Sequence, residues 1–322
     1  MPSKNYKKRL IHKKRLRKNK MNKIIRGLKD PYRVCDFLLR KLAPLIKNDK
    51  TYVKWHYFFN MHKRLNLDNP KTFNEKLSWL KLNARDYNYS RLVDKFAVKD
   101  YVKGLVGDKC IIPTLGVWDN FDDIDFNALP SQFVLKCTHD SGGLVICKDK
   151  SSLDIDAAKL KIEKALGRSY YKLTREYPYK NVKPRIIAEK YIVDESGTEL
   201  KDYKFFCFDG TPKMMFVATG RPVNTCFDFY DMDFNHLDIR QGHPNAEHKV
   251  KKPKGFDEMK RIAAELSKGF PQLRVDFYDV NGHVYFGELT FFHFGGDTPF
   301  DPEKWDRIMG DWISLPMTKG VQ

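Results

Sequence analysis

The sequence has no apolar run approaching 18 residues, so no segment is expected to cross a membrane as a helix. Its basic start is not followed by an apolar stretch, so no secretory leader is expected there. The six cysteines (Cys35, Cys110, Cys137, Cys147, Cys207 and Cys226) make no Cys-x-x-Cys pair and no metal-ligand spacing. That excludes a recognisable zinc site or dithiol motif; several of the six sit in apolar strand-like runs and are expected to be buried small hydrophobes, which suits a reducing cytosol. GxxxxGK[ST] is absent, so this is not a P-loop protein, and no helix-turn-helix, zinc-finger or single-strand-binding signature points to specific nucleic acid. No Ser/His/Asp or Cys/His arrangement offers a side-chain nucleophile.

Acid is scarce at one end. Residues 1–30 hold 13 Lys or Arg against one acid, Asp30, or 13 − 1 = +12 of the net +18. The rest of the chain therefore carries only 18 − 12 = +6. The basicity is that of an arm, and the body is mildly basic. Leu10, Ile11, Leu16, Met21, Ile24, Ile25 and Leu28 are interleaved with the cations. Such an arm suits an anionic membrane surface better than nucleic acid, and a solvated tail is the plainer alternative.

Aromatic residues are plentiful: 14% of the chain, with 23 Phe and 16 Tyr, which points to strands and ring-walled pockets. After the arm, Val34, Phe37, Leu38, Leu42 and Leu45 form one stripe, predicting an amphipathic helix over 32–47. KTFNEKLSWLKLN predicts a helix capped by Asn74, and YSRLVDKFAVKDYVKGLVG a third ending at glycine. Short apolar strands follow: 133–137, 144–148 and 184–192, with a helix over 155–167 between them. KDYKFFCFDGTPKMMFVATG predicts a hairpin turning at Asp209-Gly210, 256–268 a helix, and 273–292 a hairpin turning at Asn281-Gly282. Hairpins alternating with helices, without a βαβ rhythm, predict an α+β fold with antiparallel sheets. The expected division is a basic arm (1–30), a helical region (31–110), and two α+β subdomains (111–192 and 193–322).

Three segments carry chemistry. In 273–292, Arg274, Asp276, Glu288 and Thr290 interrupt strands otherwise built of Leu, Val, Phe and Tyr, and buried acids need a cation to meet them. A two-residue Asn-Gly turn would pair Asp276 with Gly287 and put Glu288 on the opposite face. A three-residue loop, Val280-Asn281-Gly282, would pair Arg274 with Glu288 and gather all four polar residues on one face. That wall could hold Mg²⁺ on nucleotide phosphates, or be a structural Arg274–Glu288 pair. In FVLKCTHDSGGLVICK, Lys136 ends an apolar strand beside Thr138, His139, Ser141, Gly142 and Gly143, where glycine backbone can close on phosphate. An ordinary hairpin turn reads equally well. In PRIIAEKYIVDESGTELKDYKFF, a strand runs into Glu189-Lys190-Tyr191-Ile192, whose backbone can meet an adenine edge. Asp202 and Lys204 then face one side of the next strand.

Order and spacing of the three segments resemble the ATP-grasp superfamily: a phosphate-binding lysine, a Glu-led adenine linker, and an R-x-D…G-E-x-(N/T) metal hairpin. The similarity is closer to the TupA-like ATP-grasp family, named for teichuronopeptide biosynthesis. It is carried by KTFNEKLSWLK, DKFAVKDYV, IDFNALPSQFVLKCTHDSGG, PRIIAEKY, DYKFFCFDG, RVDFYDVNGHVYFGELTFF and FDPEKWDRIMGDWISLP, over roughly residues 55–316. The resemblance implies an ATP-grasp fold, with two α+β subdomains clamping ATP, and a carboxylate–amine ligase working through an acyl phosphate with ATP and Mg²⁺. It implies Lys136, Lys204 and Arg274 as catalytic cations, and Asp276, Glu288 and Thr290 as metal ligands. Lys95 (or Lys99), Lys136, His139, Ser141, Gly142 and Gly143 would hold phosphates. Glu189, Lys190, Tyr191 and Ile192 would hold adenine, and Asp202 (or Glu199) the ribose. Most ATP-grasp ligases carry Asn where this chain and TupA-like proteins have Thr290. The family's link to bacterial surface polysaccharide implies a sugar acid joined to an amino acid or amine, on a small carboxylate or a lipid-linked anionic glycan. That chemistry belongs to the cytoplasm or the cytoplasmic membrane face. A glycosyltransferase using Asp231-Met232-Asp233 as a DxD motif, in a stretch expected to be a loop, and a non-catalytic basic adaptor are the rival readings.

Overall fold

In the computed structural model the described residues are 30–85, 89–140, 142–194, 196–197, 199–221 and 223–316. The arm up to residue 29 and Ser141 lie outside them. The chain divides into two compact units, Met1–Leu65 and Asn66–Gln322.

In the first unit, α1 (Pro31–Leu42) begins where the Asp30 carboxylate accepts the Tyr32 N–H at 3.0 Å and Pro31 fills a first-turn position that needs no donor. The helix expected over 32–47 stops at Leu42, so Leu45 lies beyond its stripe. No residue of α1 is buried; Phe37, Leu38 and Leu42 are exposed. A helix not singled out in sequence, α2 (Asp49–Met61), follows with Asn48 as its cap. The two are joined by stacking of Tyr32 on His62 (centroids 4.5 Å) and by an Asn60 amide donating to Asp36 at 3.1 Å.

In the second unit α3 (Phe73–Asn83) is capped by Thr72, not Asn74. Thr72 and Glu75 form a reciprocal capping box, which satisfies two donors and sets the start ahead of Asn74. Asn74 instead sits buried, donating its backbone and amide N–H groups to Asp306 at 2.9 and 3.0 Å. The single helix expected over 89–107 is two, α4 (Tyr89–Val93) and α5 (Val98–Val106). Asp94 breaks it by accepting the Phe96 and Ala97 N–H groups, while the Lys95 N–H leaves the helix for the Thr138 carbonyl.

Then come β1 (Thr114–Trp118), β2 (Phe133–Cys137), β3 (Leu144–Cys147), α6 (Ile155–Leu166), α7 (Tyr170–Thr174) and β4 (Ile186–Lys190). The four strands form an antiparallel sheet in the order β1-β4-β2-β3. Phe133, Leu135 and Cys137 alternate onto the face covered by Ala158, Ile162 and Ala165 of α6. Lys136 and, across the β2–β4 pairing, Glu189 therefore turn to the other face.

The remaining elements are β5 (Asp202–Phe208), β6 (Thr211–Thr219), β7 (Cys226–Asp231), β8 (His236–Leu237), β9 (Arg240–Gln241), α8 (Phe256–Leu266), β10 (Leu273–Val280), β11 (His283–Thr290), β12 (Phe300–Asp301) and α9 (Lys304–Asp311). Six of them make a second antiparallel sheet, β11-β10-β5-β6-β7-β8. The stripe Phe256, Met259, Ile262, Ala263 and Leu266 buries α8 on one face, with Phe256 and Phe205 ring centroids 5.8 Å apart. The other face carries Asp202, Lys204, Arg274 and Asp276, running into Phe206, whose ring meets Phe73 of α3 edge-on.

The β10–β11 hairpin resolves its register in an unexpected way. Val280 pairs with His283, so the loop has two residues, with Asn281 and Gly282 both at positive φ as a type I′ turn requires. The three-residue loop and its Arg274–Glu288 pairing do not occur. A β-bulge between Phe277↔Phe286 and Asp276↔Glu288 absorbs Gly287 as an extra residue. A Cβ there would lie 3.0 Å from the Asp276 carbonyl oxygen, so glycine permits the close approach. Beyond the bulge Asp276 faces Glu288 and Arg274 faces Thr290.

Candidate active site

Each of the two sheets carries one ion cluster on a single face. On the small sheet, Glu189 of β4 is buried and meets two ammonium groups, Lys99 at 2.5 Å and Lys136 at 2.6 Å. Burial alone would push the Glu189 carboxyl up, but Lys136 and Lys99 win and hold it below its usual range. Lys99 reaches it from α5 and also donates to the Ile112 carbonyl and Thr114 hydroxyl, both at 2.8 Å. Lys95, one turn earlier, donates instead to the Asp140 carbonyl at 3.0 Å. The two lysines left open in sequence thus occupy different places, and Lys99 is the one beside Lys136.

The loop after Lys136 is held from below. Thr138 exchanges hydrogen bonds with the Lys183–Arg185 backbone, and Gly142 N–H is accepted by Asp140 at 3.1 Å. His139 is buried with Nε2 3.2 Å from the Arg168 carbonyl, and burial lowers its pKa. A Cβ on Gly143 would fall 2.4 Å from Cys137 Sγ and 2.7 Å from Ala165, so this glycine answers to packing on α6. In the linker, Lys190 is exposed and its N–H goes to the Pro113 carbonyl at 3.0 Å, while Tyr191 and Ile192 are half-buried.

On the large sheet, Asp276 is fully enclosed. Arg274 grips it with two parallel bonds of 2.7 Å, and Lys204 of the neighbouring strand donates to the same carboxylate. Burial pushes the Asp276 carboxyl up, yet Arg274 and Lys204 bring it down to about 2. Arg274 also donates to Thr290 at 2.9 Å and to Glu288 at 3.3 Å. Asp202 lies 3.5 Å from Lys204 and takes Arg221 as a further partner. Glu288 differs from the rest: its side chain is 40% exposed.

His293, just past β11, was not visible as a site residue in sequence. Its role follows from two fixed ends. Gln241 Nε2 donates to the Thr298 carbonyl at 3.0 Å, which turns the Gln241 oxygen toward His293 Nε2 at 2.9 Å. Arg274 can only donate, so at 2.7 Å His293 Nδ1 must accept. The imidazole is neutral with its proton on Nε2, and burial beside Arg274 holds its pKa well below the usual value.

Two tyrosines lie within electrostatic reach of these carboxylates. The Tyr278 phenol is raised well above its usual value by Asp202 first, then burial, Glu288, Glu189 and Asp276, so it feels carboxylates of both sheets. Tyr170 of α7 is likewise raised by Glu176, burial, Glu288 and Asp140. Glu176 is buried, and that burial pushes its carboxyl up to about 8. Tyr278 repeats the even-numbered alternation of Arg274 and Asp276 and could have been found from it. Nothing local marks Glu176 or Gln241.

The Asp231-Met232-Asp233 stretch, expected to be a loop, begins as the last residue of strand β7. The Asp231 carboxylate accepts the Asp233 and Asn235 N–H groups and the Asn235 amide at 2.8–2.9 Å, closing a turn on itself.

Two antiparallel sheets with a lysine–glutamate cluster on one and a carboxylate hairpin on the other define an ATP-grasp protein. The chain belongs to the TupA-like ATP-grasp family, whose model matches residues 75–314 and so takes in both clusters. Comparison with curated proteins finds no match. Similar solved structures include D-alanine–D-alanine ligase from Helicobacter pylori (16% identity over 77% of this chain and 70% of that one, TM-score 0.38). The Bacillus anthracis enzyme complexed with ATP gives 16% identity over 67% of this chain and 55% of that one, TM-score 0.36. The ATP-grasp ligase PsnB complexed with a phosphomimetic variant of its minimal precursor, Mg and ADP gives 12% identity over 67% and 57%, TM-score 0.38.

Proposed function

We propose that the protein is an ATP-dependent ligase that activates a carboxylate as an acyl phosphate and passes the acyl group to an amine. The observation that supports this most is the division of charge. The small-sheet cluster, two lysines on one glutamate, is net cationic and suits phosphates. The large-sheet cluster balances Lys204, Arg221 and Arg274 against Asp202, Asp276 and Glu288, and leaves one carboxylate half open.

Of the three expected ligands, Glu288 offers an open hard oxygen that fits Mg²⁺, while both Asp276 oxygens and the Thr290 hydroxyl are engaged by Arg274 and Lys204. Among the described residues no group of three or more His, Cys, Asp or Glu side chains gathers, so most ligands of such an ion would have to come from phosphate and water. Glu288, the open carboxylate, would lead in holding it, and the ion would supply charge neutralisation at the phosphates. Lys136 and Lys99 can swing from Glu189 to phosphate oxygens on flexible stems. Arg274, fixed by Asp276, Thr290 and His293, presents a cation that needs no reorganisation when charge develops on the substrate carbonyl. The substrate carboxylate oxygen forms its bond to the γ-phosphorus as the bond from that phosphorus to the β-phosphate oxygen breaks and ADP leaves. The amine nitrogen then forms its bond to the acyl carbon as the bond from that carbon to the phosphate oxygen breaks. Inorganic phosphate leaves, the nitrogen gives up a proton to it or to solvent, and no protein nucleophile is used.

A sugar acid on a lipid-linked anionic glycan, joined to an amino acid or amine at the cytoplasmic membrane face, is the substrate reading that the family supports. The arm of residues 1–30 would bring the enzyme to that surface. Among the described residues no helix is long and apolar enough to cross a membrane. The glycosyltransferase alternative is weakened because Asp231 spends its oxygens on its own turn.

The test is calorimetry with a non-hydrolysable ATP analogue and Mg²⁺ on wild type, Lys136→Ala and Glu288→Gln. Saturable binding that needs Mg²⁺ and is lost in both variants is expected, followed by ADP release with sugar acids and amines. Binding of a nucleotide sugar with no response to the ATP analogue would overturn the proposal.

A further inference from the structure

The back of the large sheet holds a feature that the ligase reading leaves unused. Strand side chains alternate, so Tyr203 and Asp279 turn away from Asp202, Lys204 and Asp276. On that side a cavity of about 540 Å³ lies between the start of β5, the Asn281-Gly282 turn and residues 248–254. Lys201, Lys249, Lys251, Lys252 and Lys254 line it, with His248 beside them.

These cations are poorly neutralised. Lys201 is paired with Asp194 at 2.6 Å, and Lys252 rests over the Phe256 ring at 4.7 Å with Asp257 4.0 Å away. Lys249, Lys251 and Lys254 have no ion-pair partner among the described residues. Asp279, the only acid of the lining among the described residues, has each oxygen turned to a backbone donor, accepting the Gly255 and Gly282 N–H groups at 2.7 and 2.6 Å, and one carboxylate cannot balance five lysines. Like charges around one concavity repel each other and focus a positive potential into it, and an anion relieves both.

The shape of the charge narrows the ligand. Among the described residues no arginine fork lines the cavity, and the N–H of Gly282 in its wall is taken by Asp279. Dispersed lysine point charges suit anionic groups spread along a chain. Thr219 and Asn281 add neutral hydrogen-bonding groups between them. We infer that this back-face cavity is a binding site for an oligocarboxylate, separate from the nucleotide face. It needs neither nucleotide nor metal, so it stands apart from the ligase reading.

The test titrates the full-length, nucleotide-free protein with tetragalacturonate at physiological salt. Wild type is compared with Lys249→Ala/Lys251→Ala/Lys254→Ala and with the control Lys13→Ala/Lys14→Ala/Lys18→Ala, which removes equal charge from the arm. The cavity variant is expected to bind at least ~10-fold more weakly and the arm variant within ~2-fold of wild type. Wild-type lysine acetylation, read by mass spectrometry, gives the same answer without relying on a variant that folds: the ligand should shield Lys249, Lys251 and Lys254. Equal weakening in both variants, or shielding spread evenly over the arm, would reduce the effect to diffuse charge and sink the site. Stronger shielding of these three lysines by tripolyphosphate than by tetragalacturonate would overturn the oligocarboxylate assignment.

Discussion

Glu189 and Asp276 are both buried carboxylates clamped between two cations, and the two clusters differ in what the cations can do next. Glu189 is held by two lysines whose side chains remain 12% and 20% exposed. Each is a point charge on a long stem, and Lys99 is held in addition by the Ile112 carbonyl and the Thr114 hydroxyl. Asp276 is held by a planar guanidinium at two points, and that guanidinium is itself pinned by Thr290, Glu288 and His293. One carboxylate is held by two separate lysine stems, and the other by a guanidinium fixed at several points.

The comparison breaks most sharply at Asp276→Asn, which strands Arg274 and Lys204 in the interior. A loss of about 3–5 kcal/mol is expected from chemical denaturation. A loss under 1 kcal/mol would mean that the guanidinium is not locked. The same carboxylate sets an acid limb. Its folded pKa of about 2 lies below the ordinary 3.8, so its stabilisation is present above pH 4 and drains away as pH falls toward 2. Asp276→Asn should lack that limb in a pH series of melting curves.

His293→Gln should be next in size, removing the acceptor for one charged hydrogen bond at about 1.5–3 kcal/mol. His293→Asn can keep an acceptor near the Nδ1 position. The Arg274 guanidinium signals by NMR should stay sharp in the Asn variant and broaden in the Gln variant. Equal broadening would show that the ring only fills space.

Glu189→Gln should cost less, about 1–2 kcal/mol, because Lys99 and Lys136 can turn to water. A loss as large as that of Asp276→Asn would erase the contrast between the clusters. The smallest effect is expected at Glu176. Its folded pKa of about 8 lies above the ordinary 4.5, so its stabilising contribution is full below pH 4.5 and is lost as pH rises toward 8. Glu176→Gln should therefore stabilise by at least ~1 kcal/mol at pH 8 and by nothing at pH 4. Equal melting shifts at both pH values would show that ionisation is not involved.

Much of this was legible in the sequence, for local reasons. Alternation placed Asp202 with Lys204 and Arg274 with Asp276. Asp-Gly and Asn-Gly marked both hairpin turns, because two adjacent residues at positive φ leave few alternatives to those pairs. The run of motifs fixed the family, and the +12 arm could be read by counting.

What the tertiary structure decided lies where two local rules compete or where partners are far apart in the chain. The Asn-Gly turn favoured one register and the polar pattern favoured another. A bulge at Gly287 satisfied both, a solution available only once β11 met β10. The helix over 89–107 broke where Asp94 capped the next turn and the Lys95 N–H found the Thr138 carbonyl, 43 residues on (138 − 95). Lys99 rather than Lys95 joined Lys136 for the same reason. His293 reaches Arg274, and Gln241 reaches His293, only through the closing of β9, β12 and the segment after β11. Side-chain period and turn preference act within a few residues and are written in order along the chain. Which distant side chain completes a hydrogen bond depends on which surfaces fold together.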